Sequence, residues 1–209
     1  MTDAETYREL AELGTATVYE ANRRTGLLDL DLEQLLPGTR VAGPARIAAC
    51  GQNDNWAVHK VMSVLQPGEV LLLTMPEPKP VALVGDLLLT QAKVHGAVGV
   101  LVNASTRDVD DVQKLGLPVW TRWRRVRGAD KADPGAVDVP VTVGGQLVRP
   151  GDVLVLDADG AVVIASDDVP TVLLAARERV AREAALREKL QAGELSYDLH
   201  GLREKETQS

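Results

Sequence analysis

The chain has 209 residues, a net charge of −7, 45% hydrophobic and 25% charged residues, and 3% aromatics with no Phe. That is enough chain for one domain with an extra arm, and its core must be built from Val, Leu, Ile and Ala. The acidic balance argues against a nucleic-acid surface and against anionic membranes, so an anionic small molecule needs a local positive site.

The first five residues, Met1-Thr2-Asp3-Ala4-Glu5, are acidic and lack the apolar run of a signal peptide. No stretch of about 18 apolar residues spans a membrane, which points to the cytoplasm. Residues 4–26 read as helical, with Thr17 and Glu20 as a capping box opening a second helix. Leu36-Pro37-Gly38 is a turn, and residues 40–50 form a strand. Cys50 closes that strand and reads as a small buried hydrophobe rather than a reactive thiol. Pro67-Gly68 and Pro150-Gly151 make two further tight turns that feed the apolar runs Val70–Leu73 and Val153–Leu156.

The middle of the chain alternates. Val81–Val84 is a strand, Asp86–His95 a helix stopped by Gly96, and Val98–Val102 a second strand. Asp108–Leu115 is a short helix stopped by Gly116, and Val119–Arg122 a third strand. Such short strand–helix–strand units imply parallel pairing with both sheet faces covered. Residues 137–165 are β-rich, with hairpin turns at Gly144-Gly145 and Asp157–Gly160. A long helix runs from Asp168 to Leu190, with Asp168 as its cap and Pro170 in its first turn. Residues 191–209 are polar and lie along the surface or a neighbouring subunit.

Chemistry concentrates at two strand ends. Gly85-Asp86 follows the first middle strand and Arg107-Asp108 the second, the edge of an α/β sheet where ligands bind. The N–H groups of about Leu87 and Leu88 open a helix and suit a carboxylate. Arg107 offers a planar donor fork, and Asp108 is a hard oxygen ligand for Mg²⁺ or Mn²⁺. The dipeptide alone reads more readily as a plain Arg–Asp pair capping a helix.

The spacing Gly85-Asp86, twenty residues, then Arg107-Asp108 resembles the signature of the 4-hydroxy-4-methyl-2-oxoglutarate / 4-carboxy-4-hydroxy-2-oxoadipate aldolases. These are class II pyruvate aldolases related to the RNase E activity regulator (RraA-like) family. The resemblance extends through Gly14–Thr17, Pro37–Ala45, Asp54-Asn55 with His59-Lys60, Pro67–Val70 and Pro150–Asp152, over about residues 10–205. It implies an α/β sandwich related to the swivelling β/β/α domains, one domain over residues 1–209 with a core of about 10–166 and a C-terminal helical arm of about 167–209.

It also implies roles. Asp108 ligates a divalent cation, Mg²⁺ or Mn²⁺. Arg107 binds the 2-oxo acid and stabilises its enolate, and the backbone of Gly85, Asp86, Leu87 and Leu88 holds the carboxylate. Asp86 orients water at the metal or takes part in proton transfer. Glu183, on the C-terminal helix of a neighbouring subunit, completes the site, in a homotrimer or homohexamer with shared active sites. On its own terms Glu183 continues an apolar stripe of Val172, Leu173, Ala176 and Val180, or pairs with Arg179 or Arg187.

The implied activity is metal-dependent cleavage of a 4-hydroxy-2-oxo acid to pyruvate, with oxaloacetate decarboxylation beside it. The substrate partner is then a small 2-oxo acid, with neither nucleic acid nor membrane. The alternatives are a non-catalytic interaction protein like the RNase E regulator, whose branch lacks the acid at the position of Asp86, or a related lyase on another 2-oxo acid. One segment departs from the family: Val102-Asn103-Ala104-Ser105-Thr106 stands where relatives carry an Ile-Asp-Gly-like turn, which would reshape the pocket wall. His59 reads as a structural histidine, with a pocket-facing role as the alternative. Arg122–Arg127 reads as a solvated or subunit-contact edge rather than an RNA surface. No HExxH, CxxC or phosphate-loop pattern occurs.

Overall fold

Apolar runs with no polar break fold as strands covered on both faces, and a computed structural model, which describes residues 3–206, shows how this chain covers them. In chain order the elements are α1 (Asp3–Leu13), α2 (Thr15–Ala21), β1 (Glu33–Gln34), β2 (Val41–Ala49), α3 (Trp56–Val61), β3 (Val70–Thr74), β4 (Ala82–Val84), α4 (Asp86–Val94), β5 (Gly99–Thr106) and α5 (Val109–Leu115). They continue with β6 (Val119–Arg124), β7 (Ala136–Val137), β8 (Val141–Val143), β9 (Gln146–Val148), β10 (Val153–Asp157), β11 (Gly160–Ile164), α6 (Val169–Gln191), α7 (Ser196–Leu199) and α8 (Leu202–Glu206).

The main sheet runs β1-β6-β5-β3-β2-β10-β11, with β4 added to β5 and β7 to β2. The pairs β2–β3, β3–β5, β4–β5 and β5–β6 are parallel, as the short strand–helix–strand units require. The two outer strands β10 and β11 are antiparallel, joined by the turn at Asp157–Gly160. The hairpin β8–β9 turns at Gly144-Gly145.

Side chains alternate across a strand, and β3 shows the result. Leu71 and Leu73 join the core under α3, α4 and α5, while Val70 and Leu72 face the opposite core with Ile47, Leu101 and Trp120. In β10, Leu154 and Leu156 enter that second core, and Val153 and Val155 meet Leu10, Val18, Val172 and Leu173 from α1, α2 and α6. Truncating a side chain as enclosed as Leu72 to Ala costs about 2–5 kcal/mol. The fold is a curled α/β sheet with helices on its faces and a long C-terminal helix. No described helix is long and apolar enough to cross a membrane.

Several boundaries differ from the sequence reading. The first helical stretch breaks at Gly14, φ 81°, and α2 starts at Thr15. Thr17 is therefore inside the helix and caps nothing. The free N–H groups are met from elsewhere: Thr15 N and Oγ1 both donate to Asp157, at 2.8 and 2.6 Å. Asp168 makes no side-chain cap, because it belongs to a 3₁₀ turn, Ser166–Asp168, that runs into α6. β5 continues to Thr106, so Asn103–Thr106 is buried strand and not a turn. The tail carries two short helices, α7 and α8. Cys50 is buried, and burial followed by the Asp54 charge pushes its thiol up to about 12.

Candidate active site

β4 and β5 end side by side. Val84 pairs with Thr106, and Arg107 N donates to Val84 O at 3.1 Å. This parallel register carries Gly85-Asp86 next to Arg107-Asp108 although twenty residues separate them. Each doublet then opens a helix, α4 or α5, so both sets of first-turn N–H groups lack intrahelical acceptors.

Asp108 sits at the N-cap of α5 with φ 59°, a left-handed conformation that Asp and Asn adopt more readily than other non-glycine residues. Its carboxylate is drawn back against α4. Asp86 N lies 3.4 Å from Asp108 Oδ2, and Arg107 Nε lies 3.3 Å from the same oxygen. Gly85 makes this approach possible. A Cβ there would lie 2.2 Å from Asp108 Oδ2 and 3.0 Å from Arg107 Cγ. The requirement is closeness rather than backbone shape, since Gly85 is extended at φ −143°.

Gly85, Asp86, Leu87, Leu88 and Arg107 wall a cavity of about 380 Å³. Sequence reasoning named all five. Asp108 is not in the wall itself; it backs it, pressed on Gly85, with its side chain 35% exposed. The opposite side of the cavity is built by residues that sequence reasoning weighed lightly or passed over. Asn55 and His59 come from the start of α3, one helical turn apart, and Gly128 and Lys131 from the loop after β6. Gly128 is close against Arg107, whose Nη1 would be 3.2 Å from a Cβ. His59 thus faces the pocket. Burial, then the charge of Lys131, holds its imidazole below the ordinary value and so neutral at pH 7.

A buried carboxylate fixes that loop. Asp54 is 2% exposed, and it accepts N–H bonds from Trp56 at 2.8 Å, Ala132 at 2.5 Å and Asp133 at 3.1 Å. Burial opposes its charge, but the three backbone donors outweigh burial and hold its pKa below the usual value. Asn55 N donates to Asp130 O at 3.0 Å and Asn55 Nδ2 to Leu83 O at 2.9 Å, tying the loop, α3 and β4 together. The segment Asp54-Asn55 with His59 was visible in the sequence; Lys131, in a polar loop, carried no signal.

Glu183 is not part of this cavity within one chain. It pairs with Arg179 at 2.8 Å and walls a separate cavity with Thr17 and Arg187. The apolar stripe ends at Ala176, since Val180 is 41% exposed. In Arg122–Arg127, Arg122 stacks on Trp123 at 4.4 Å and Arg124 pairs with Glu33.

Among the described residues no three His, Cys, Asp or Glu converge as a metal cage. A smaller donor set still fits one kind of ion. Asp108 Oδ2 meets the long Asp86 N–H contact and Arg107 Nε at 3.3 Å, and among the described residues no hydrogen bond or ion pair engages the Asp86 carboxylate. Mg²⁺ is commonly held by one or two carboxylates plus water and substrate oxygens, so a hard oxygen ligand such as Asp108 suits it and leaves positions open.

The sequence pattern of the RraA-like family (Aldolase/RraA) matches residues 15–163. The chain is 33% identical over 154 residues, 74% of its length and 73% of the relative's, to a Halalkalibacterium halodurans protein named "Putative 4-hydroxy-4-methyl-2-oxoglutarate aldolase". Among solved structures it resembles an uncharacterized protein of Pseudomonas syringae pv. tomato, with TM-score 0.83 and 25% identity over 93% of this chain and 92% of that one. It also resembles Streptomyces coelicolor RraAS2, described as an unusual member of the RNase ES inhibitor RraA protein family, with TM-score 0.79 and 31% identity over 89% of this chain and 97% of that one. With its sequence pattern and its fold in agreement, the chain belongs to the RraA-like family.

Proposed function

We propose that this chain is a divalent-metal-dependent lyase that cleaves a 4-hydroxy-2-oxo acid, such as 4-hydroxy-4-methyl-2-oxoglutarate, between C3 and C4 to release pyruvate. The observation that carries the reading is that Arg107, Asp86 and the first turn of α4 wall one cavity, with the Asp108 carboxylate pressed behind Gly85 within reach of Arg107.

In this reading the C1 carboxylate lies at the N–H groups of Leu87 and Leu88, where the helix end favours an anion. The Arg107 guanidinium faces the C2 oxygen. Asp108 would hold a divalent ion, with Asp86 orienting its water, and the bound ion would supply Lewis-acid stabilisation of the charge that develops there. Asp86 takes the C4 hydroxyl proton, directly or through water. The C3–C4 bond breaks, its electron pair becomes the enolate of pyruvate, and C4 leaves as a carbonyl. Arg107 stabilises the enolate oxygen as charge grows on it, which is where a fixed donor helps most. Protonation at C3 then gives pyruvate.

Loss of CO₂ from oxaloacetate produces the same enolate, so decarboxylation accompanies cleavage. No Schiff base enters this route, and borohydride added with substrate leaves no adduct on lysine. Pyruvate release from 4-hydroxy-2-oxo acids and from oxaloacetate, with Mg²⁺ and with chelator, tests the proposal. Release that is absent with every substrate ends it. The likeness to RraAS2 favours a second reading, a regulator-like interaction protein. Asp86, which the regulator branch lacks, weighs for the enzyme. In the family arrangement Glu183 reaches a neighbouring subunit's cavity, so the active form is a homotrimer or homohexamer.

A further inference from the structure

A smaller cavity, of about 240 Å³, lies at the opposite edge of the sheet. One wall is α1, through Tyr7, Arg8 and Ala11; the other is Arg40 and Val41 at the start of β2, and Val98 just before β5. β2, β3 and β5 run parallel, so this space sits at their amino ends. The cavity lined by Arg107 opens at the carboxyl ends of β4 and β5. The two are separate sites, and the smaller one owes nothing to the aldol chemistry.

The charge of the smaller cavity is one-sided. Arg8 and Arg40 line it, and no Asp or Glu does. That stands out in a chain where 30 acidic residues face 23 Lys and Arg. No salt bridge among the described residues uses either arginine. Arg40 is nevertheless held in place, because its Nη1 donates to Glu12 O at 2.9 Å in the last turn of α1. That bond explains Arg40 as a cation at a helix C-terminus. It leaves the other N–H donors of the guanidinium without a carboxylate, and it does not explain Arg8. Between the two arginines the surface is apolar: Ala11, Val41 and Ala42 are buried and belong to it.

A bare inorganic anion would leave that apolar floor wet, and a neutral hydrocarbon would leave the two guanidinium groups without an acceptor. Pockets for drug-sized ligands run from about 300 Å³ upward, so this one takes a molecule of a few carbons. We propose that the cavity between α1 and the amino ends of β2 and β5 binds a short-chain aliphatic monocarboxylate. The carboxylate meets Arg8 and Arg40 in charge-assisted hydrogen bonds, the geometry a guanidinium serves best. The chain lies on Ala11, Val41 and Ala42.

Calorimetric titration with hexanoate, hexylamine and hexan-1-ol tests this. The three probes share a six-carbon chain and differ in head group: anion, cation and neutral hydroxyl. Wild type binds hexanoate at least about tenfold more tightly than either of the others, the scale of one charge-assisted hydrogen bond. Arg8→Gln and Arg40→Gln each remove most of that preference, while Arg40→Lys, which keeps the charge, retains it. Ala4, also in the wall, is exposed, and Ala4→Leu keeps both cations while filling part of the space. It weakens hexanoate at least about fourfold, the scale of one methylene left in water. Arg107→Gln leaves hexanoate binding unchanged. Should Arg40→Gln loosen α1, the exposed positions decide: hexanoate bound as tightly by Arg8→Gln and Ala4→Leu as by wild type overturns the site. Equal affinity of wild type for hexanoate and hexylamine overturns it too. So do hexanoate binding that is lost in Arg107→Gln and kept in Arg8→Gln, and the absence of saturable hexanoate binding to wild type.

Discussion

Gly85→Ala is the sharpest probe of the site, because the change is one methyl group and its neighbours are known. The added Cβ would stand 2.2 Å from Asp108 Oδ2, with Arg107 Cγ at 3.0 Å and Arg107 Nε at 3.1 Å. Carbon–oxygen contact in proteins relaxes only at about 3.4 Å or more, so the carboxylate must retreat by roughly 1 Å. Asp108 is partly exposed and can swing outward, so the fold gives way little, and a destabilisation of about 1–3 kcal/mol is the ceiling for such overpacking. Function is hit harder. A displacement of about 1 Å in a catalytic constellation costs on the order of 10²-fold in rate, about 2.7 kcal/mol in the barrier. The assay is pyruvate release followed through lactate dehydrogenase, with a thermal melt on the same sample. Loss of about two decades in rate with a melting point within a few degrees of wild type fits the geometry. A Gly85→Ala protein that works within threefold of wild type refutes the claim that Asp108 must press against the backbone of α4.

Other consequences follow from the same geometry. Asp54→Asn takes the charge from a buried acceptor of the Ala132 and Asp133 N–H bonds and costs about 1–3 kcal/mol by thermal or urea unfolding. Because the folded carboxyl of Asp54 lies below its ordinary value, its stabilisation is complete above the unfolded pKa of about 3.9 and is lost as pH falls through the folded one. The melting-point gap between wild type and Asp54→Asn is therefore constant near neutrality and narrows below about pH 4; a gap that widens in acid contradicts the assignment. Thr15→Val strips a buried partner from Asp157 and lowers unfolding free energy by about 1–3 kcal/mol without changing pyruvate release per folded chain. Glu183→Gln loses only an i,i+4 pair worth about 0.3–0.5 kcal/mol, so its melt stays put while its activity falls. Mixing inactive Asp108→Asn and Glu183→Gln chains after joint refolding restores part of the activity if Glu183 serves a neighbour, and none if it does not.

The sequence displays the parts of this protein that depend on local pattern. Uninterrupted runs such as Val70–Leu73 and Val153–Leu156 became buried strands, and Gly96 and Gly116 end α4 and α5 as their positions suggest. Five residues of the cavity wall were legible because they follow strand ends at a recognisable spacing. What escaped is long-range. Thr15 meets Asp157 across 142 residues, and that contact, not the local Thr17–Glu20 pattern, decides where α2 begins. Asn103–Thr106 is polar enough to read as a turn, yet β3 reaches Asn103, and β4 and β6 pair Ser105 and Thr106 beyond a register shift, which draws the segment into the sheet. Lys131 sits in a loop whose shape comes from a buried aspartate some 78 residues earlier. No periodicity announces such a residue.

If Asp108 holds a divalent ion beside a keto acid bound by Arg107, catalysis depends on the charge of that one carboxylate. A Mg²⁺ titration of pyruvate release, run in parallel on wild type and Asp108→Asn, tests it most directly, since Asn keeps the left-handed backbone and the shape but gives up the charge. Wild type then shows saturable Mg²⁺ dependence and the variant loses activity on the order of 10²-fold or more at any Mg²⁺ concentration, with an unchanged melt. Equal rates and equal Mg²⁺ dependence in the two proteins would contradict it.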